Sequence, residues 1–339
     1  MSDAKSSRPK GPWRALVALA IIAVAAVAWF RVGLLDLPAI PADVTLAASG
    51  LNDLESLKGL DDYLRAASEG PAPTPGAALA RQGLAAAHRG DEAAGLETMR
   101  QAIRREPDNL VLANAYRMEC FQLRRDFLKS AAAHSSLLPP FPAHIAKEPI
   151  SFFESLASEH PSRETKLHLA LAWVDEMLLF PALEIKAPAS VEAVNLLSTV
   201  LDGNNPDYVP ALFARGMNHL HRPARLVWPE AEKYPPDAAA RDLARCIALG
   251  RMFRAGSNRL QARLAIGLGD AYVKAGMLGK ARSWWQIAQN LSHDGDLQDA
   301  TRRRYSWRDE ETLDRLEEEL DKVRGELTRP MTDLSMMWN

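Results

Sequence analysis

Apolar and polar residues in this 339-residue chain recur at helical spacing almost throughout, and no long stretch alternates in strand fashion. Leu54, Leu57, Leu60 and Leu64 predict an amphipathic helix over Leu51–Ala67. Prolines and glycines divide the chain beyond it. Gly70–Gly76, GPAPTPG, reads as a linker, and Gly76–Pro107 as a helical hairpin closed by Pro107. Leu110–Leu138 reads as a second pair with its turn near Arg124–Arg125, and Leu138–Pro149 breaks it. A long helix is expected over Arg163–Leu179, a loop over Pro181–Ala189 and a helix over Val191–Leu201. The last helix is expected from Ser306, as a cap, to about Leu327 before Pro330. Leu313, Leu316, Leu320, Val323 and Leu327 give it a heptad-like stripe. Little more than two heptads suits a helix covering the end of an array better than a coiled coil.

One segment is apolar all round. Residues 15–30, ALVALAIIAVAAVAWF, carry no charge, and Lys5, Arg8, Lys10 and Arg14 precede them. The run is short for a span, since a helix needs about 20 apolar residues. Snorkelling by Arg31 extends it to a tilted span over residues 13–35. Positive charge stays cytoplasmic, so residues 1–12 are expected inside and the rest in a bacterial periplasm. The competing reading is a signal peptide cleaved after Ala26-Val27-Ala28. Apolar character continuing through Trp29 and Phe30 favours the anchor. Residues 36–75 then form a tether and the amphipathic helix, 76–305 the helical array, and 306–339 a covering helix and tail.

The stretch Leu268–Ala288, LGDAYVKAGMLGKARSWWQIA, has an ordered pattern. Gly269 to Ala281 is twelve residues, Ala281 to Trp285 four and Trp285 to Ala288 three, with Gly276 at the turn. It resembles one tetratricopeptide repeat, a helix–turn–helix unit in which small residues let two helices approach and an aromatic fills the hole between them. Leu79, Gly83, Gly90, Met99, Ala102 and Pro107 repeat the pattern, although Ala86 stands where the family has an aromatic. A third copy starts at Ala211 and resumes at Ala238 after an insertion, and a degenerate fourth ends at Pro206. The resemblance implies an all-α helix–turn–helix solenoid behind one N-terminal transmembrane helix. It also implies a scaffold that binds a protein or peptide, with first helices lining a groove. Arg263, Gly267, Asp270 and Lys274 lie on the first helix of the best copy and are candidates for that groove.

Composition narrows the chemistry. Residues 1–31 hold five Lys or Arg and one Asp, so the remainder holds 36 basic and 42 acidic residues, a balance of −6. That gives no reason to expect nucleic acid. No HExxH, GxSxG, CxxCH or phosphate-cradling loop is present, so neither cofactor, metal nor small-molecule substrate is expected. His219 and His221, two apart on a helix, point to different faces. Cys120 and Cys246 read as small core residues rather than a bridge. Asp175-Glu176 reads as a solvated helix face, and Arg302-Arg303-Arg304 as a helix end, where cations suit the negative pole. The rival class is a periplasmic solenoid enzyme acting on cell-wall glycan, with Glu176 in LAWVDEMLLF as its acid.

Two segments look built for contact. The insertion at residues 222–236 carries Arg222, Arg225, Trp228 and Tyr234 among four prolines, and Arg, Trp and Tyr dominate binding hot spots. The alternative is that Trp228 only braces the loop. The tail MTDLSMMWN, residues 331–339, is apolar enough to dock on this chain or on another. The reading is an interaction scaffold in the cell envelope, serving assembly or maturation of a complex.

Overall fold

Thr74 starts the first hairpin. It stands in extended backbone, and its Oγ1 accepts from the Ala77 N–H to cap α1 (Pro75–His88). Pro75 takes the first helical position, where a missing N–H costs nothing. Gly90, at φ 93°, lets the chain reverse, and the Asp91 N–H returns to the Ala86 carbonyl. Asp91 then caps α2 (Glu92–Arg105) at Ala94. Glu106 ties the end of α2 to the start of α1, its carboxylate accepting from Gly76 N at 2.8 Å and Thr74 Oγ1 at 3.1 Å. Thr74, Pro75 and Gly76 thus belong to the helix start rather than to a linker.

A computed structural model describes residues 74–134, 141–146, 149–179, 183–202, 206–223, 235–248, 258–291, 295–326 and 333–334. The chain divides into Met1–Ile40 and Pro41–Asn339, and all described residues belong to the second unit. The anchor at 13–35, the tether and the amphipathic helix lie outside the described residues. Among the described residues no helix is long and apolar enough to cross a membrane.

All regular structure among the described residues is helical. After α2 come α3 (Leu110–His134), the single turn α4 (Ala143–Ala146), α5 (Ile150–Glu159), α6 (Arg163–Leu179) and α7 (Leu183–Leu201). Next in the chain are α8 (Val209–Leu220), α9 (Ala238–Ala248), α10 (Asn258–Lys274), α11 (Leu278–Leu291), α12 (Gly295–Ser306), a 3-10 turn (Asp309–Glu311) and α13 (Thr312–Glu326). Four hairpins dominate the packing among the described residues: α1/α2, α6/α7, α8/α9 and α10/α11. They coincide with the two clear repeats, the interrupted copy and the degenerate copy. Between the first two, α3 packs on α1, α2 and α6. At the far end α12 packs on α10 and α11, and α13 on α10.

Three boundaries differ from the expected ones. α3 is one continuous helix, not a pair, and the expected turn residue Arg124 is buried within it. α7 begins at Leu183 and runs through Pro188, where a loop was expected. Pro188 is the sixth residue of α7, so it lies inside the helix and removes one i→i−4 hydrogen bond from it. Ser306 ends α12 instead of capping the last helix: its Oγ donates to the Arg303 carbonyl, and α13 starts at Thr312.

The hairpins close on glycines. A Cβ on Gly269 would lie 2.5 Å from Trp285 Cδ1, on Gly83 2.6 Å from the Gly95 carbonyl oxygen, and on Gly216 2.9 Å from Leu243 Cγ. All are closer than carbon side chains tolerate. Leu316 and Leu320 of α13 are buried, so this stripe covers α10 as expected of a covering helix. Leu313 is exposed, and the side chains of Val323 and Leu327 lie outside the described residues. Cys120 and Cys246 are both buried and unbridged.

Candidate functional site

The longest helix supplies the site. Asn114, Arg117 and Arg124 are spaced by three and seven residues, so they share one face of α3. That face meets α6. Arg117 Nη1 pairs with Asp175 Oδ2, and Arg124 Nη1 with Glu176 Oε2 at 2.6 Å. The Arg124 guanidinium also lies over the Phe141 ring, 4.9 Å from its centroid. Arg117 is 0% and Asp175 1% exposed, so this pair is fully desolvated. Such a pair joins two helices in one geometry, and removing either partner strands a buried charge. Asp175-Glu176 is therefore not a solvated face. The carboxylate required by the glycan-cleaving alternative, Glu176, is engaged by Arg124.

Asn114 sits at the centre. Its Oδ1 accepts from Arg117 Nη2 at 2.9 Å, which orients the amide. The same oxygen accepts from the backbone N–H of Leu334 at 3.0 Å, and Nδ2 donates to Asp333 Oδ1 at 2.9 Å. One amide thus holds an acidic side chain and the N–H of the next residue. Leu334 is 0% exposed. Asp333 and Leu334 of the tail thus dock on this same chain, Leu334 lying 220 residues downstream of the asparagine that grips it.

His168 of α6 completes the surroundings. Its ring stacks on Phe153 with centroids 5.5 Å apart, and neither nitrogen has a hydrogen-bond partner among the described residues. Burial, and then the positive Arg117, hold its pKa well below 6.5, so the ring is neutral. Tyr116 packs edge-on against Phe152 and Phe153, fixing α3 over α5.

The residues singled out from sequence fall elsewhere. Arg222 is buried, its Nε donating to Ser190 Oγ at 2.9 Å and its Nη2 to the Ser190 carbonyl at 3.2 Å. Ser190 Oγ in turn donates to Asn218 Oδ1 at 3.1 Å. Lys274 donates to the Arg222 carbonyl and pairs with Glu317 of α13 at 2.8 Å. Asp270 is buried, accepting from Trp285 Nε1 at 3.0 Å and from Arg304 Nε and Nη2, both at 2.7 Å. At Arg222, Asp270 and Lys274 internal contacts thus stand where a partner was expected. For Asp270 and Lys274 the cause is the C-terminal pair α12 and α13, which packs on α10; for Arg222 it is Ser190 of α7. Arg263 is half-buried on α10, and Arg225, Trp228 and Tyr234 lie outside the described residues. Arg304 does close a helix, but as a buried partner of Asp270. His219 lies in the last turn of α8 and is half-buried. Burial and then Arg222, Arg215 and Arg241 push its pKa down to about 3.

Sequence reasoning passed over Asn114, Arg117, His168, Asp333 and Leu334. The available signal was Asn114 and Arg117 one turn apart inside the apolar run LVLANAYRMECF, opposite an acid pair inside another.

No protein-family model matches the chain, and no curated protein matches it. Among solved structures it is similar to that of a thermophilic TPR protein from Thermus thermophilus. The identity is 16%, the match covers 67% of this chain and 97% of that one, and the TM-score is 0.41.

Proposed function

We propose that this chain is a scaffold of the tetratricopeptide type that holds a segment of a protein partner against its first helices. In this reading it is anchored in a bacterial cytoplasmic membrane by residues 13–35, faces the periplasm, and serves assembly or maturation of an envelope complex. The observation that carries it is Asn114, an amide on α3 that grips a distant segment by its side chain and backbone. Hairpins closed by Gly83 and Gly269 at the spacing of the repeat pattern add support. So does the uncharged run behind a basic flank. The insertion, with Arg225, Trp228 and Tyr234, is proposed as an additional contact.

The test is photo-cross-linking in cells from residue 118, beside Arg117 on α3. The expected result is one specific protein captured in the envelope fraction. A reporter fused after Asn339 should be active only outside the cytoplasm. With the partner in hand, Trp228→Ala should weaken it by about 2 kcal/mol or more without lowering the melting temperature. No capture from a chain that circular dichroism shows folded would overturn the scaffold reading. A reporter active inside would overturn the topology.

A further inference from the structure

We propose that the Asn114 site is a recognition site for a short segment, an acidic residue followed by an apolar one whose N–H faces the amide, and that Asp333-Leu334 occupies it in cis as a built-in competitor. Helix α12 covers the end of the array through Arg304 on Asp270, and α13 through Leu316, Leu320 and the Lys274–Glu317 pair, a side-chain interface of the ordinary kind. The tail is held differently. Two consecutive residues satisfy both ends of one amide at 2.9 and 3.0 Å, and the leucine is fully buried. Nothing in that geometry requires the dipeptide to belong to this chain. The amide donor requires an acceptor on the first residue, and the amide oxygen requires an N–H on the second, which excludes proline. Arg117, held by Asp175, fixes the amide so that donor and acceptor cannot exchange places.

A tethered occupant competes strongly. A segment joined to the same chain by a short connection acts at an effective concentration of the order of millimolar, so a free segment must displace it. The apparent affinity for that segment falls by the fraction of sites left open. The occupant that takes the tail's place is a protein segment bearing the same acid–leucine pair. That identity rests on the scaffold reading, whereas the occupancy by the tail does not.

The experiment uses the full chain and a labelled synthetic peptide of residues 330–339, PMTDLSMMWN. The wild-type chain should bind it at least about tenfold more weakly than the Asp333→Ala/Leu334→Ala chain, whose site is open. Asn114→Asp keeps the acceptor for Arg117 and for the N–H but replaces the donor with a second carboxylate. Added to the open chain, it should abolish peptide binding. Peptides with Asp333→Ala or with Leu334→Pro should not bind the open chain either, and this arm involves no change to the protein's fold. Equal affinity of the wild-type and open chains overturns the proposal. So does absence of binding to an open chain with an unchanged melting curve, or a proline peptide that binds as well as the parent. A dimer that forms only when Asp333 is present would assign the tail to a second copy instead of to cis occupancy. The two readings fail separately: capture at residue 118 without peptide binding sinks the cis competitor alone, and peptide binding without capture sinks the scaffold alone.

Discussion

The hairpins α1/α2 and α10/α11 place the same pattern on two different fillers. Gly83, Gly95, Met99 and Ala102 in the first stand where Gly269, Ala281, Trp285 and Ala288 stand in the second. In the first, glycine meets glycine: each missing Cβ would lie 2.6 Å from the other's carbonyl oxygen, and Met99 fills the remaining space. In the second, the indole of Trp285 lies over Gly269 and fills the hole alone. The consequences diverge because an indole carries an N–H and a thioether does not. Buried, that N–H needs an acceptor. Asp270 provides it, and a buried carboxylate needs a cation, which Arg304 brings from α12. The choice of filler therefore decides whether a hairpin is self-sufficient or bound to the helix after it.

The largest expected effect comes from breaking that chain of contacts. Arg304→Ala should cost about 3–5 kcal/mol in chemical denaturation, because it leaves Asp270 buried and unpaired. Adding Asp270→Asn should recover part of it; a loss below about 1 kcal/mol for Arg304→Ala would show that the carboxylate finds water. Trp285→Ala should cost a similar 3–5 kcal/mol, from the cavity and from a lost donor to Asp270. Next come the glycines. Gly269→Ala should cost about 1–3 kcal/mol and be largely neutral in a Trp285→Met background, since its clash is with the ring. Gly83→Ala meets the Gly95 backbone, so no substitution at Met99 should rescue it. Rescue of Gly83→Ala by Met99→Ala would erase the distinction.

Over the first pH unit below 6.5, a smaller effect separates the middle of the array from its ends. His168, buried, and His219, half-buried, are neutral, with folded pKa values depressed by desolvation first and arginines second. Unfolded, each titrates near 6.5, so the stability tied to keeping them neutral is present above that pH. It is lost as pH falls from 6.5 towards the folded value, about 3 for His219. The slope is about 1.4 kcal/mol per pH unit for each histidine. Hydrogen exchange should show α6 and α8 losing protection on acidification before α10/α11, and His219→Gln should flatten the trend. Simultaneous loss along the whole array would mean that the hairpins unfold as one unit.

The hairpins were legible in the sequence because their logic is local. Glycine, turn and filler lie within about thirty residues and follow steric rules that spacing alone expresses. The continuous α3 was not legible. Two adjacent arginines in an apolar helix look like a turn until a partner carboxylate is known. Arg124 finds Glu176 on α6, fifty-two residues away. The same blindness made Asp175-Glu176 look solvated. Ser306 satisfied the local rule for a cap, yet the α12 end took it. Asn114 and its tail were the least accessible of all, since neither residue class nor periodicity links position 114 to position 334. At Asp270 and Lys274 the covering helices from the C-terminus supply Arg304 and Glu317, whereas Arg222 of the insertion turns inward to Ser190 of α7.

The 220-residue separation between Asn114 and Leu334 also fixes an order of events during synthesis. Repeat arrays are stabilised by neighbours, so α1, α2, α3 and α6 can close as soon as they emerge. Asp333 and Leu334 cannot reach Asn114 until they have been made. At about 5–20 residues per second, the interval from translation of Asn114 to translation of Leu334 is roughly 10–45 s. Throughout it the N-terminal half has a formed asparagine amide with no tail to hold. Until Asp333 and Leu334 have been made, other segments meet the amide without competition, and afterwards they meet it occupied.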